Sequence, residues 1–330
     1  MAITIHDVAG RAQVSVSTVS RAFTMPELVR PATRELVLRA ADELGYRPNR
    51  AARGLITGKT GNLGIVVPDL QNPFFPSVVS GAQAQARQAD YAVFLADSAE
   101  DPRLESELIH AMTKQVDGVI VCSSRMDAKD LRTASESTTL VLLNRKNPGV
   151  PAVLMNSADG MRQAVEHLAA LGHRRCAFLS GPRNSWSNKE RRRGLRAASR
   201  LCGVEVVELG PFAPVFEAGL QAADIALATN VTAVVAFNDL MALGVLNRLN
   251  DRKIAVPDEM SVVGFDDIAM AGMCTPQLTT VEMPTRQGGR AAVDLLLDEL
   301  AGGEGDRGAA QQRVVGTQLI VRASTAPPRS

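Results

Sequence analysis

Apolar positions follow two different rhythms along this chain, and the rhythm changes near residue 60. Before it they recur every three or four residues, the spacing of one helical face. Thr4-Ile5-His6-Asp7 has the spacing of a capping box, and the helix it opens runs to Ala12 with Ile5, Val8, Ala9 and Ala12 on one side. Ser15 caps a second helix over 16–23, which turns Val19 and Phe23 inward and shows Ser17, Thr18, Ser20 and Arg21 outward. A third helix runs from Pro31 to Leu44, where Gly45 stops it. Two helices joined by a tight turn, the second exposing short hydrogen-bonding side chains, is how a recognition helix enters a DNA major groove. A small three-helix bundle used for protein contact fits the same pattern.

After residue 60 short apolar runs alternate with helical stretches. Strands are predicted at 63–67, 92–96, 118–122, 140–143, 177–179, 204–208, 233–237 and 262–265, with helices such as 105–112, 160–170, 189–201 and 240–249 between them. This βαβα alternation predicts a parallel, doubly wound sheet, and the length of 61–330 favours two such lobes over one. Ligands of these sheets bind beyond the carboxyl ends of the strands, so the residues after each run carry the chemistry. Those residues are Asp69 with Asn72-Pro73-Phe74-Phe75, Asp97, Asn144-Arg145, Ser185-Trp186-Ser187 with Arg191, Asn238-Asp239 and Asp266-Asp267. Carboxylates, amides, a guanidinium and flat aromatic faces recurring at one edge suit a polyhydroxylated ligand. Ordinary turn chemistry explains any one of them taken alone.

Composition excludes several classes. No run of 18 apolar residues exists, so no membrane span is expected, and the N-terminus has neither the basic nor the apolar region of a secretory signal. Cys122, Cys176, Cys202 and Cys274 lack CxxC spacing and read as buried, reduced thiols of a cytoplasmic protein, with no metal and no cofactor expected. The net charge of +1 is unevenly split: nine Lys/Arg face five Asp/Glu in residues 1–60, against 27 and 30 in the rest. A basic head on a mildly acidic body suits a polyanion-binding module attached to something else. The stretch 49–60 ends in Gly58-Lys59-Thr60, but a phosphate loop needs Gly where Arg53 stands. Gly54 and Gly58 make it a helix too weak to form alone, or a plain linker, with a basic stem and one exposed leucine.

Asp7-Val8-Ala9, Val14-Ser15-Val16-Ser17-Thr18-Val19-Ser20-Arg21 and Gly45-Tyr46-Arg47-Pro48-Asn49-Arg50-Ala51-Ala52 closely resemble the head of the lactose-repressor (LacI/GalR) family. The resemblance extends through Gly64-Ile65-Val66-Val67-Pro68, Gly172-His173-Arg174-Arg175, Phe237-Asn238-Asp239, Val262-Val263-Gly264-Phe265-Asp266-Asp267, Leu278-Thr279-Thr280 and Leu319-Ile320-Val321-Arg322-Ala323-Ser324-Thr325, essentially end to end. It implies a helix-turn-helix head over 1–48 and a hinge over 49–60 that folds on operator DNA. It further implies a body over 61–330 resembling periplasmic sugar-binding proteins, with lobes at 61–157 plus 283–312 and 158–282 plus 313–330. By position it assigns DNA contacts to Ser15, Val16, Ser17, Thr18, Ser20, Arg21, Asn49 and Ala52, with Leu55 wedged into the minor groove. Effector contacts fall on Phe74, Asn144, Ser185, Ser187, Arg191, Phe212, Asn238 and Asp266, and Trp186 between the two serines is placed to stack on a sugar face. Two departures stand out. Gln13 occupies a turn position that is usually Gly, at a cost of about 1 kcal/mol if the backbone there is left-handed. Asn144 stands where sugar-binding members often have Asp.

Catalytic signatures are missing: no G-x-S-x-G, H-E-x-x-H or G-x-G-x-x-G occurs, and His6, His110, His167 and His173 are scattered, the last two read as surface or capping residues. In the run Arg191-Arg192-Arg193 only Arg191 is expected to face the cleft. The expected function is a transcriptional regulator, most simply a repressor. It would bind double-stranded operator DNA as a homodimer under the control of a small sugar or sugar-like effector, with no membrane partner. The tail after Arg322 is short and lacks leucine heptads, which argues against a zipper-linked tetramer. The competing readings are an α/β sugar-acting enzyme such as a sugar kinase, and an exported sugar-binding protein.

Overall fold

The structure is a computed structural model that describes residues 3–47, 59–302 and 310–329. The chain divides into two compact units, Met1–Gly61 and Asn62–Ser330. Asn49, Ala52 and Leu55 lie outside the described residues.

Among its described residues the first unit has three α-helices, α1 (Ile5–Ala12), α2 (Val16–Thr24) and α3 (Pro31–Leu44), with a short 3-10 turn at Pro26–Leu28. Asp7 accepts the Thr4 amide at 2.7 Å, and the Ser15 hydroxyl accepts the Thr18 amide at 3.1 Å, so each of the first two helices starts where the cap chemistry places it. Val8, Ala9, Ala12, Val19, Ala22, Val37, Ala40 and Ala41 form the core, and Phe23 meets Tyr46 at its rim. Small residues let the three axes approach closely, but so thin a core keeps the head marginal. Gln13 adopts φ 52° and ψ 41°, the left-handed turn the sequence called for at this position, and Gly45 does the same at the end of α3.

The second unit holds two six-stranded sheets of the same design. In the first, β1 (Asn62–Val67), β2 (Ala92–Asp97), β3 (Gly118–Cys122), β4 (Thr139–Leu143), β5 (Ala152–Met155) and β11 (Gln312–Val315) lie in the order β11-β5-β4-β3-β1-β2. In the second, β6 (Arg175–Leu179), β7 (Glu205–Leu209), β8 (Ala233–Ala236), β9 (Ser261–Asp266), β10 (Thr279–Glu282) and β12 (Gln318–Ile320) lie in the order β12-β10-β9-β8-β6-β7. Each lobe is thus a doubly wound 2-1-3-4-5 sheet extended by one late strand. The helices that matter below are α4 (Phe74–Gln88), α7 (Ser157–Leu171), α8 (Trp186–Cys202), α9 (Phe216–Leu227), α10 (Asp239–Asp251) and α11 (Thr285–Ala301). Two more, α5 (Pro102–Met112) and α6 (Ala128–Ser137), complete the first lobe.

Several expectations are corrected. The second sheet is not purely parallel, because β12 pairs with β10 antiparallel. Four strands, β5, β10, β11 and β12, lie outside the predicted set. β10 (Thr279-Thr280-Val281-Glu282), β11 (Gln312-Arg313-Val314-Val315) and β12 (Gln318-Leu319-Ile320) mix polar residues into their runs, whereas β5 is an apolar run that the prediction omits. The chain passes between the sheets three times: after β5, between β10 and α11, and between β11 and β12. The last passage follows Val315 and not residue 312, since β11 belongs to the first sheet. His173 is not a surface residue, although its amide does cap α7 by donating to the Leu168 carbonyl at 3.0 Å, as the capping reading expects. It is buried, within hydrogen-bond reach of Thr232 and Ser261 hydroxyls and the Ala326 carbonyl, and burial holds its pKa below the usual histidine value.

Candidate functional site

In the head, the exposed side of α2 carries Ser17 and Arg21, four residues apart and therefore one above the other. Val16, Thr18 and Ser20 are half-buried beside them, and the Ser15 hydroxyl lies 2.8 Å from both the Ser17 and Thr18 hydroxyls. The result is a short polar ridge ending in one guanidinium.

In the body, the carboxyl ends of both sheets supply one cleft lined by Asn72, Phe74, Phe75, Glu100, Ser123, Arg125 and Asn144 from the first lobe and Ser185, Ser187, Arg191, Pro214, Phe237, Asn238 and Asp266 from the second. The strands flanking each switch point of the strand order, β1 with β3 and β6 with β8, lead directly into most of these residues. This is where doubly wound sheets bind ligands.

Seven of the nine sequence-assigned effector residues meet here: Phe74, Asn144, Ser185, Ser187, Arg191, Asn238 and Asp266. Phe74 and Phe75 stand edge to face, ring centres 5.0 Å apart, as an aromatic wall at the start of α4. Ser185 is the N-cap of α8, accepting the Asn188 amide at 3.2 Å, and this cap aims Ser187 and Arg191 from the first turns of the helix. Arg191 donates to the Phe237 carbonyl and, at 3.1 Å, to Asp266, while its guanidinium lies 3.8 Å from the centre of the Phe265 ring and 4.4 Å from that of Phe237. Neither Arg192 nor Arg193 lines the cleft: Arg192 is half-buried and pairs with Glu208, and Arg193 is exposed and pairs with Glu190. Asn238 caps α10 through Met241 and donates to the Pro214 carbonyl at 2.8 Å. Asn144 donates to Ser123 at 3.3 Å and, across the cleft, to Ser187 at 3.0 Å.

Burial pushes the Asp266 carboxyl up to about 7 against the pull of Arg191, and neighbouring Asp239, itself pushed up by burial to about 6, adds to the rise. Asp266 also holds φ at 119°, a conformation that costs a non-glycine residue about 1–3 kcal/mol and that clusters at functional sites.

Two assigned residues stand elsewhere. Trp186 is the half-buried first residue of α8, not part of an overhanging loop, and does not line the cleft. Helix periodicity turns it away from the side that Ser187 and Arg191 share. Phe212 is half-buried and packs against the core beneath the second sheet. Of the other strand-end residues, Asp69 and Asp97 accept turn amides, Asp239 accepts from Thr280 and the Ile268 amide, and Asp267 pairs with Arg322 at 2.7 Å, pointing away from Asp266. Sequence reasoning missed Ser123, Arg125 and Glu100. The rule used for other strands, to read the residues just past the run, reaches Ser123 and Arg125 when applied to the end of β3. Among the described residues no cluster of metal-ligating side chains occurs, and no helix is long and apolar enough to cross a membrane.

A helix-turn-helix head on a two-lobed ligand-binding body defines a ligand-responsive DNA-binding protein, and comparison with known proteins places it. The family model described as bacterial regulatory proteins, lacI family, matches residues 4–49, and the periplasmic binding protein-like domain matches 165–325. The HTH-type transcriptional repressor CytR of Escherichia coli is 34% identical over 335 residues, covering 98% of this chain and 96% of that protein. The HTH-type transcriptional regulator GalS of Salmonella typhimurium is 36% identical, covering 91% of each. Among solved structures, the lac repressor dimer bound to operator and the anti-inducer ONPF superposes with a TM-score of 0.85 at 27% identity, covering 99% of this chain and 100% of that one. The CelR–cellobiose complex gives 0.72 at 32%, covering 98% and 99%. This chain belongs to the lacI family of bacterial regulatory proteins. Its relatives are transcriptional regulators, so the enzyme reading lapses.

Proposed function

We propose that the chain is a cytoplasmic repressor that holds a pseudo-palindromic operator as a homodimer and changes its grip when a small sugar or sugar-like effector enters the cleft. The observation that carries this reading is the Asn144–Ser187 hydrogen bond, a direct polar link between the lobes at the point where a ligand hydroxyl would intervene. A ligand that replaces that link with its own bonds to Asn144, Ser187, Arg191 and Asp266 binds one lobe arrangement better than another. Differential affinity of this kind is what couples an effector to a distant equilibrium. A paired head then matches paired half-sites spaced by turns of the duplex. Solved relatives are described with cellobiose, ribose and ONPF, which supports a carbohydrate-like effector. Selection of binding sites from random DNA, repeated with a sugar panel, tests the whole proposal. A chain that selects no sequence would overturn it.

Two expected outcomes concern the DNA side. Arg21→Ala removes a guanidinium able to pair two donors with guanine, a contact worth about 1–3 kcal/mol of discrimination. It relaxes sequence preference in a selection experiment more than it weakens binding to random DNA, and an equal loss on both would remove Arg21 from base reading. Ser15, Val16, Ser17, Thr18 and Ser20 complete the proposed reading surface, and Asn49, Ala52 and Leu55 the hinge. Leu55→Ala reduces operator bending in circular-permutation gel shifts and leaves effector affinity unchanged.

A further inference from the structure

We infer that Glu100 and Arg125 form a charge filter that restricts the effector to uncharged polyols; this rests on the cleft being the effector site. Four charged side chains line the cleft, and the structure pairs them off one lobe at a time. In the second lobe Arg191 is held by Asp266 and the Phe237 carbonyl, with aromatic rings against the guanidinium. In the first lobe Arg125, whose side chain is only 4% exposed, grips Glu100 with two nitrogens, Nε to Oε2 at 2.5 Å and Nη2 to Oε1 at 2.8 Å, and gives Nη1 to the Ser123 carbonyl at 2.6 Å. Behind it the buried Glu105 accepts the Arg125 amide at 2.9 Å and lies close enough to Arg145 for their charges to interact. The wall therefore carries two charges of each sign, and both cations that reach the cleft are already held by carboxylates.

Among the described residues, a phosphate or carboxylate entering this cleft meets no cation that lacks a carboxylate partner. It must displace Glu100 from a buried, two-point pair, and the displaced carboxylate stays beside it as a like charge. Among the described residues two buried cleft atoms lack a partner, the donor Arg191 Nε and the acceptor Asn144 Oδ1, and the acceptor points to a different ligand. Asn144 gives its amide protons to two serines, while its Oδ1 is buried without a partner. That atom accepts a proton from a hydroxyl, which a phosphate dianion cannot supply. Glu100, 29% exposed at its side chain, is the member of the pair nearer to water, so it controls which anions reach Arg125.

The test is calorimetry on the full chain with inorganic phosphate and with two matched pairs, glucose with glucose 6-phosphate and ribose with ribose 5-phosphate. Operator release is measured in parallel for each. Wild type is expected to give no saturable phosphate binding, whereas Glu100→Gln frees Arg125 and gains phosphate affinity by at least about ten-fold, the scale of one charge-assisted pair. Removing the guanidinium as well, in Glu100→Gln/Arg125→Gln, abolishes that gain. Thermal unfolding checks each variant, and if Glu100→Gln does not fold, Glu100→Ser, short enough to let water reach Arg125, takes its place. Equal phosphate affinity in wild type and variant overturns the filter, as does a sugar phosphate that releases wild type from operator better than its parent sugar. In that last case the cleft reading stands. Phosphate gained by the variant without effect on operator binding, together with no operator release by any sugar, overturns the cleft reading and the filter with it.

Discussion

Arg191→Ala should abolish effector binding and lower the stability of the body by about 3–5 kcal/mol near neutral pH, the range seen when one partner of a buried ion pair is removed. The residue is nearly fully buried, it holds Asp266 and the Phe237 carbonyl, and it fills the space between two aromatic rings. Alanine therefore leaves a cavity, an unpaired carbonyl and a carboxyl that must be protonated to remain buried. The last effect sets a pH signature. Burial already raises the folded-state value of Asp266 to about 7, and loss of the cation raises it further. Below the unfolded value near 3.8 the carboxyl is neutral in both states and folding costs nothing on this account. As pH rises toward and through 7 the unfolded chain is ionised while the folded one must take up a proton, so stability falls. The deficit of Arg191→Ala relative to wild type should therefore stay level up to about pH 7, where both folded forms hold the proton, and grow above it in urea unfolding, and in Arg191→Ala/Asp266→Asn it should not grow. A deficit independent of pH in the single variant would mean that Asp266 is not the group left unpaired.

Gly194→Ala should cost about 3 kcal/mol, the upper end for overpacking, although it adds a single methyl group. Gly194 lies on α8 where that helix crosses α7, and a β-carbon there would collide with the Ala158 carbonyl oxygen and sit 2.8 Å from Ala158 Cα. The obstacle is backbone, which has no rotamer to escape into, so the two helices must separate. The function suffers along with the fold, because α8 and its cap carry Ser185, Ser187 and Arg191 into the cleft. Weaker effector binding and a lower urea midpoint are expected together. A variant as stable as wild type would show that the helices can part at no cost. The same device recurs in both lobes: Gly81 on α4 abuts Arg286, Gly289 on α11 abuts Val78, and Gly219 and Gly244 lock α9 to α10.

Much of this was legible in the sequence wherever a local signal and a tertiary demand agree. Thr4, Ser15, Pro31 and Gly45 punctuate the head, and the helices begin and end there. The long βαβα alternation announces two wound lobes, and the strand-end rule finds most of the cleft. What escaped has physical reasons. Strands β10, β11 and β12 carry polar residues that break the apolar run, and they are strands because a neighbour supplies the ladder. Trp186 sits between two cleft serines in sequence, but once Ser185 caps a helix its direction is set by 100° steps and not by proximity. His173 is polar and next to a helix-ending glycine, so it reads as surface; only the fold brings Thr232, Ser261 and Ala326 around it. Glu100 and Arg125 are unremarkable on their own, and their pairing joins two loops that no sequence spacing connects.

The three passages between the sheets have a consequence for how the protein is made. The first sheet lacks its edge strand until residue 315 is synthesised, and the helix α11 that packs against α4 is the last among the described residues. The second sheet likewise waits for residue 324, where Ser324 donates to the Val262 carbonyl at 2.6 Å and accepts the Thr279 amide at 2.8 Å. At the usual pace of about 5–20 residues per second, the head emerges with the eight core residues named above within the first moments of translation, whereas neither sheet is complete until residues 312–324 have been made. Until those residues are made, each lobe is an open sheet with an unpaired edge. A frameshift in the final segment damages both of them at once, and the cell would retain at most the small helical head.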